Sequence, residues 1–143
     1  MRVLIADDDP TYRALLEDLL TKWHFEPVTV ADGAQALDAM GCPDAPPLLL
    51  LDWDMPRVNG FEVAKTVRSA SSENEPYVLM VTSCADKESL MRIMVCGADD
   101  YLIKPFDPTD LKIHLRCAVR IINLRDEVAQ LRRQLHQGAP QPQ

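Results

Sequence analysis

Residues 48–52 have the sequence Leu-Leu-Leu-Leu-Asp, in which four aliphatic side chains are followed by one carboxylate. A strand without polar alternation is buried on both faces, which is typical of the centre of a parallel sheet. The run is far shorter than the roughly 18–20 apolar residues of a membrane-spanning helix, and no other run in the chain approaches that length. We therefore predict a central strand over residues 48–51, with Asp52 at its carboxyl end.

Short aliphatic runs alternate with longer helical patterns on both sides of this strand. Asp9 and Asp107 each precede a proline, which is typical of a helix start, and Gly41 and Gly97 lie where helices are expected to end. Repeated strand–helix units form a parallel sheet with helices on both faces. We therefore predict an α/β fold, a doubly wound (βα)5 sheet. The other predicted strands are residues 2–6, 27–30, 77–82 and 100–103.

The charge is unevenly distributed along the chain, whose formal net charge is -7. Residues 1–110 contain 9 Lys and Arg against 20 Asp and Glu, or -11, whereas residues 111–143 contain 6 against 2, or +4. An acidic domain repels nucleic acid, so we expect no nucleic-acid partner. The four cysteines form no C-x-x-C pair and the amino terminus does not resemble a signal peptide, so we expect a cytoplasmic protein without a membrane partner.

The last predicted helix, from Pro108 to about His136, is too long for the domain that precedes it. It has one apolar face for the sheet and a second apolar seam with 4-3-4-3-4 spacing. The seam places Ile121 and Val128 at heptad position a, with Leu124 and Leu131 at d. This choice favours a parallel two-stranded coiled coil and hence a homodimer. The alternative is an amphipathic helix folded back on its own domain. The sheet-facing positions are Leu111, Leu115, Ala118 and Ile122; the seam is Cys117, Ile121, Leu124, Val128, Leu131 and Leu135.

Three segments follow from these patterns. We expect one globular domain over residues 1–122 and a helical or coiled-coil extension over residues 123–136. Residues 137–143, rich in Gln and Pro, are expected to be a disordered tail or a linker. Such an end is compatible with an output domain beyond residue 143.

Chemically active side chains follow four of the five predicted strands. Asp7 and Asp8 follow the first strand, Asp52 the third and Lys104 the fifth, and Thr82 ends the fourth. The carboxyl ends of parallel strands lie along one edge, where such folds bind ligands. We therefore expect these side chains to lie close together.

Three carboxylates at one edge need a compensating charge. At about 5 Å each pair repels by roughly 3 kcal/mol with an effective dielectric constant near 20, so the three together cost on the order of 10 kcal/mol. An all-oxygen site selects a hard cation such as Mg2+. With Mg2+ and Lys104 attracting a phosphoryl group, a carboxylate can act as the nucleophile and form an acyl phosphate. Asp52 is the best candidate for this nucleophile, and Asp7 and Asp8 for the metal ligands.

Four spaced stretches contain the residues expected at this edge. They are Ala6-Asp7-Asp8-Asp9, Asp52-x-x-Met55-Pro56-x-x-x-Gly60, Val81-Thr82-Ser83 and Gly97-Ala98-x-x-Tyr101-x-x-Lys104-Pro105-Phe106. Together they resemble the response regulator receiver domain of two-component signalling, of the kind found in chemotaxis regulators. The resemblance covers about residues 1–122 and implies a flavodoxin-like fold with strand order 2-1-3-4-5. It also implies a signalling module that catalyses only its own phosphorylation and dephosphorylation.

The resemblance assigns roles to individual residues at the site. Asp52 is the implied phosphoacceptor, which receives the group from a sensor histidine kinase or a phosphotransfer protein in the presence of Mg2+. Asp7 and Asp8 are the implied acidic pair, and the backbone carbonyl of Asp54 completes the metal ligands together with Asp52. Lys104 is implied to contact the phosphoryl oxygens, as is Thr82.

Further implied roles concern switching and lifetime. Thr82 and Tyr101 are the switch pair, which moves inward on phosphorylation and reshapes the face formed by helix 4, strand 5 and helix 5. Asp54 and Cys84 occupy the two positions that tune hydrolysis, and a cysteine at position 84 leads us to expect a phosphorylated lifetime of minutes. The family has a cis peptide before the proline of its Lys-Pro pair, so the Lys104–Pro105 bond is expected to be cis.

Two other functions are compatible with parts of the pattern. Asp52 and Asp54 after an aliphatic strand also resemble the nucleophile motif of haloacid-dehalogenase-type phosphatases, although here the acidic pair comes first and no cap domain fits in the chain. A pseudo-receiver that binds partners without phosphorylation is the other alternative. Away from the predicted site, we expect Asp99 and Asp100 to be solvated, and the basic side chains of the last helix, Arg125 among them, to form a solvated flank.

Overall fold

A computed structural model of the protein describes residues 1–70 and 75–138. Five strands and five helices alternate along the described chain. Three strands have the predicted bounds, and two are one residue longer than predicted, because Glu26 and Asp52 belong to them. The elements are β1 (Arg2–Ala6), α1 (Pro10–Lys22), β2 (Glu26–Val30), α2 (Gly33–Met40), β3 (Leu48–Asp52), α3 (Gly60–Ala70), β4 (Tyr77–Thr82), α4 (Lys87–Val95), β5 (Asp100–Ile103) and α5 (Pro108–Gly138).

The five strands form one parallel sheet in the order β2-β1-β3-β4-β5. One face is covered by α1 and α5, whose buried side chains pack with alternate residues of the strands. The other face is covered by α2, α3 and α4. This is the predicted doubly wound, flavodoxin-like fold with its predicted strand order.

The central strand β3 is buried along its whole length, as its sequence predicts. Leu48 and Leu50 pack with the α1 and α5 layer, whereas Leu49 and Leu51 pack with the opposite layer. Each fully buried leucine stabilises the fold by about 1.5–3 kcal/mol relative to an exposed one. Because β3 packs against helices on both of its faces, the position of its last residue, Asp52, is fixed.

Short polar side chains begin the helices at the predicted places. Asp9 Oδ1 accepts a hydrogen bond of 2.9 Å from the amide of Thr11, and Asp32 Oδ1 accepts one of 2.8 Å from the amide of Gln35. Each bond satisfies an amide that the first helical turn leaves without a partner. Asp9 and Asp32 are therefore helix caps.

Helix α5 contains the two predicted apolar faces. Its sheet-facing side chains are all buried in the core, and the seam is exposed. The helix continues to Gly138, two residues beyond its predicted end, so Gln137 and Gly138 of the predicted disordered segment are helical. Residues 139–143, the rest of that segment, lie outside the described residues. Within the described chain, no helix combines the length and the apolar character needed to cross a bilayer.

Candidate functional site

The strand ends converge on one edge of the sheet. Asp7 follows β1 directly, Asp52 is the last residue of β3, and Thr82 is the last residue of β4. Lys104 follows β5, and its amide donates a 2.7 Å hydrogen bond to the carbonyl of Thr82. The parallel register pairs Asp52 with Val81 and thus brings the ends of β3 and β4 level. The predicted convergence is present in the structure.

Three carboxylates meet at this edge. Oxygen atoms of Asp7, Asp8 and Asp52 all lie within 4.8 Å of one another. Asp7 and Asp52 are only 1% and 8% exposed, whereas Asp8 faces solvent. Close carboxylates that supply only oxygen are the donor set that Mg2+ prefers, so these residues fit that ion. The exposed position of Asp8 leaves the cluster open on one side.

Lys104 places a positive charge beside the carboxylate cluster. Its Nζ lies 2.8 Å from Asp7 Oδ2 and 3.5 Å from Asp52 Oδ1, and its side chain is 7% exposed. The ammonium group also lies 4.2 Å from the ring centroid of Tyr12, a cation–π contact. The Lys104–Pro105 peptide is cis, as predicted. One lysine thus contacts two of the three carboxylates.

The surroundings of the site shift the pKa values of both Asp52 and Lys104. Burial, reinforced by the negative charge of Asp7, raises the pKa of Asp52 from 3.8 to about 7, although Lys104 acts in the opposite direction. Burial lowers the pKa of Lys104, but its hydrogen bond to Asp7 and the charge of Asp52 outweigh burial, so the net pKa of Lys104 is raised. The ammonium therefore stays charged, and its charge lowers the pKa of Asp52, in opposition to burial.

Asp7 is held by the first turn of α1. Its Oδ1 accepts a 2.9 Å hydrogen bond from the amide of Asp9, and its carbonyl accepts a 2.8 Å bond from Arg13 Nη1. Both donors are fixed by the helix that Asp9 caps. The orientation of this metal-ligand candidate therefore depends on the start of α1.

Thr82 and Tyr101, the predicted switch pair, occupy adjacent strands at different heights. Thr82 is 1% exposed, and its Oγ1 accepts a 3.0 Å hydrogen bond from the amide of Cys84. Tyr101 is half-buried and packs against the α2, α3 and α4 layer. The register pairs Thr82 with Ile103 and Tyr101 with Met80. The side chain of Thr82 is thus at the site edge, whereas Tyr101 lies two residues further down β5.

The loop after Asp52 depends on two glycines. A Cβ at Gly60 would overlap the carbonyl oxygen of Asp52, and a Cβ at Gly33 would overlap the carbonyl oxygen of Val58. The Gly60 amide donates a 2.8 Å hydrogen bond to the carbonyl of Trp53, which closes the loop. Asp54, inside this loop, has an exposed side chain. Gly60 belongs to the predicted motif, but Gly33 was missed, because only the packed structure brings α2 against this loop.

Two predictions outside the site are wrong. Asp99 is not solvated: its carboxylate accepts bonds from Arg68 Nη2 at 2.8 Å, Arg125 Nη2 at 2.5 Å and the Val78 amide at 2.8 Å. Arg125 is accordingly not part of a solvated flank. Asp100 is not simply solvated either, because its Oδ2 lies 2.5 Å from His114 Nδ1. These partners are 14–31 residues apart in sequence, so helical spacing alone does not reveal most of them.

Comparison with known proteins gives consistent results. The sequence profile described as the response regulator receiver domain matches residues 3–116. The chain is 32% identical over 113 residues to the chemotaxis protein CheY1 of Helicobacter pylori, a match that covers 78% of this chain and 91% of CheY1. It is 34% identical over 122 residues to the probable transcriptional regulator ycf27 of Galdieria sulphuraria, which covers 85% of this chain and 46% of that protein. The chain thus spans about half the length of this regulator.

A solved structure shows the same likeness. The receiver domain of the sensor histidine kinase PA1611 from Pseudomonas aeruginosa PAO1 has a magnesium ion coordinated in its active-site cleft. It superposes with a TM-score of 0.72 at 25% identity, over 82% of this chain and 96% of that one.

The chain belongs to the response regulator receiver domain family. It is a module of two-component signalling, as its four spaced motifs predict. Receiver domains of this class interact with histidine kinases or phosphotransfer proteins.

Proposed function

We propose that Asp52 is the phosphoacceptor of this receiver, and that the donor is the phosphohistidine of a sensor histidine kinase or a phosphotransfer protein. The observation that carries the proposal is the position of the Asp52 carboxylate: it ends a strand that is buried along its whole length, and its Oδ1 lies 3.5 Å from Lys104 Nζ. The module comprises residues 1–122, and residues 123–136 form its helical extension.

The transfer replaces one bond to phosphorus by another. A carboxylate oxygen of Asp52 attacks the phosphorus, a P–O bond forms, and the P–N bond to the donor histidine breaks. The electron pair of the broken bond stays on the imidazole nitrogen, which takes up a proton from solvent. Lys104 balances charge on the phosphoryl oxygens, and the hydroxyl of Thr82 donates to one of them.

The acidic cluster is the proposed Mg2+ site. Asp7, Asp8 and Asp52 supply carboxylate oxygens, and the backbone carbonyl of Asp54 completes the protein ligands. When bound, Mg2+ offsets the negative charge of both the carboxylates and the incoming phosphoryl group. Without such compensation the cluster repels the donor.

Phosphorylation is proposed to act through Thr82. Bonding of its hydroxyl to the phosphoryl group draws the end of β4 toward the site, and Tyr101 on the neighbouring strand moves inward. The face of α4, β5 and α5 then changes shape for a downstream partner or an output domain. Asp54 and Cys84, at the edge of the site, set a phosphorylated lifetime of minutes.

Acetyl phosphate, a small-molecule phosphodonor, tests the proposal. With Mg2+ the protein should gain the mass of one phosphoryl group per chain, and with EDTA none. Asp52→Asn should gain none, whereas Asp38→Asn, which alters an exposed aspartate of α2, should behave as the unchanged protein. Decay at neutral pH should take minutes.

Three outcomes would contradict the proposal or a part of it. Phosphorylation of Asp52→Asn would overturn the assignment of the acceptor. Continuous hydrolysis of a phosphate monoester would indicate the phosphatase alternative, and absence of any phosphorylation would indicate a pseudo-receiver. Loss of the phosphoryl group within seconds would contradict only the proposed lifetime.

A further inference from the structure

Helix α5 has two apolar faces that point in different directions. In the heptad that places Ile121 at position a, the core-facing residues fall at positions b and e, and the seam falls at a and d. Helical geometry of about 3.6 residues per turn separates the centres of these two faces by about 100°. The domain therefore lies beside the seam and leaves it open.

The seam is uncovered along the described helix. Cys117 is exposed, and the five large aliphatic side chains that follow it are 37–74% exposed. They continue for nearly three heptads on one uninterrupted helix that does not turn back, so among the described residues this face is not packed on its own domain. The five are Ile121, Leu124, Val128, Leu131 and Leu135.

An ion-pair cluster fixes which way the seam faces. Arg125, at position e, is bonded to Asp99 Oδ1 at 2.5 Å, and Asp99 is also bonded to Arg68 of α3. The Arg125 guanidinium lies 5.7 Å from the ring centroid of the buried Tyr77. These contacts hold the beginning of the extension against the domain and prevent rotation of the seam toward it.

We propose that the seam binds a second copy of this chain, as a parallel, in-register, two-stranded coiled coil. β-branched Ile121 and Val128 at a, with Leu124 and Leu131 at d, are the choice that favours two parallel strands. In this register position g of one helix faces position e of the next heptad on its partner. Glu127 then faces Arg132 of the other copy. Because the dimer is two-fold symmetric, Arg132 of the first copy faces Glu127 of the second in the same way.

The remaining charges are compatible with this register. Arg120 at g faces Arg125 of the other copy, but the Arg125 charge is already balanced by Asp99 within its own chain. Glu127 and Arg132 are exposed and five residues apart, so they do not lie on one helical row of a single chain. Within one chain they form no i, i+3 or i, i+4 pair, whereas between two chains in the proposed register their charges are complementary.

Sedimentation or light scattering from low micromolar to millimolar concentration tests the proposal. The unphosphorylated protein should shift from monomer to dimer. Leu124→Glu with Leu131→Glu should abolish the dimer, and Gln130→Glu, on the outer face of the same helix, should not. Circular dichroism and phosphorylation by acetyl phosphate should be unchanged in all these variants, which separates this proposal from the assignment of Asp52.

A charge swap tests the register. Glu127→Arg or Arg132→Glu alone should weaken the dimer at low salt, and the double variant should restore it. A protein that stays monomeric at all concentrations, or a dimer that survives the two glutamates, would overturn the proposal. Dimerisation only with a different protein's helix would also overturn it.

Cross-linking tests the parallel direction. With Cys42, Cys84 and Cys117 replaced by Ser, Leu131→Cys should form an interchain disulfide under mild oxidation, and Gln130→Cys should not. An antiparallel pair centred on the seam places the two residues 131 about 15 Å apart along the axis, beyond disulfide reach. If the Leu131→Cys variant is dimeric but forms no interchain disulfide, the parallel arrangement is contradicted.

Discussion

Asp52 is subject to two opposing effects, and both come from its position at the end of β3. Burial between two cores holds the carboxylate in place, as the proposed phosphoacceptor role requires, but it also raises the pKa of the group to about 7. Lys104 reduces this shift, and the carboxylate of Asp7 increases it. Positive charge brought to the cluster therefore favours the ionised form that the proposed phosphoacceptor needs.

The raised pKa makes stability depend on pH. Between about pH 4 and 7 the folded protein binds a proton at Asp52 more tightly than the unfolded chain does, so this residue makes the fold less stable as pH rises through that window. Asp52→Asn removes the effect. We expect the variant to be more stable by about 1–4 kcal/mol at pH 8, and the difference to vanish below pH 4.

Urea denaturation of both proteins between pH 4 and 8, in EDTA, measures this difference. Asp38→Asn controls for the loss of a carboxylate, because its side chain is exposed on α2. A stability difference that does not change with pH would contradict the assigned pKa shift.

At the scale of elements, Asp99 connects three of them at the edge of the sheet opposite the acidic cluster. Its carboxylate joins Arg68 of α3, the first half of β4 through the Val78 amide, and Arg125 of α5. Arg68 also donates to the carbonyl of Gly97, in the turn that precedes β5. The residues between α4 and β5 thus attach the long helix to the domain.

Asp99→Ala should therefore destabilise the fold by about 2–4 kcal/mol, since it leaves two partly buried guanidinium groups and a strand amide without this carboxylate. Hydrogen exchange should also become faster in the second half of α5. Glu75→Ala is the matched control, because Glu75 is half-exposed and lies 3.4 Å from Arg68 Nη1. That substitution should change stability by less than about 1 kcal/mol. Equal effects of the two substitutions would contradict a structural role for Asp99.

At the scale of the whole molecule, the proposed Mg2+ site links folding to metal binding. An ion that binds only the folded chain stabilises it by about 1.4 kcal/mol at ten times its dissociation constant. Mg2+ should therefore raise the melting temperature by about 3–5 °C, more than Na+ does at equal ionic strength. Asp8→Asn should reduce the shift, whereas Asp38→Asn should not. A shift that is equal with both cations would contradict a specific site.

Much of this architecture could be predicted from the sequence, because parallel strands bring their ends to one edge. Once 48–52 is recognised as a central strand, the residues after the other strands are expected beside Asp52, and the structure places them there. The contacts of Asp99 could not be predicted in this way. They depend on how α3, β4 and α5 meet, and no periodic pattern encodes the meeting of residues that are 26 and 31 positions apart.

The length of α5 has a mechanical consequence. The last buried side chain in the described part of the helix is Ala129, and the helix runs a further 9 residues to Gly138, or about 14 Å. A tilt of about 10° at Ala129 displaces the far end by about 2 Å. The helix is thus a lever arm, in which an adjustment of packing too small to disturb the core is amplified at its distal tip.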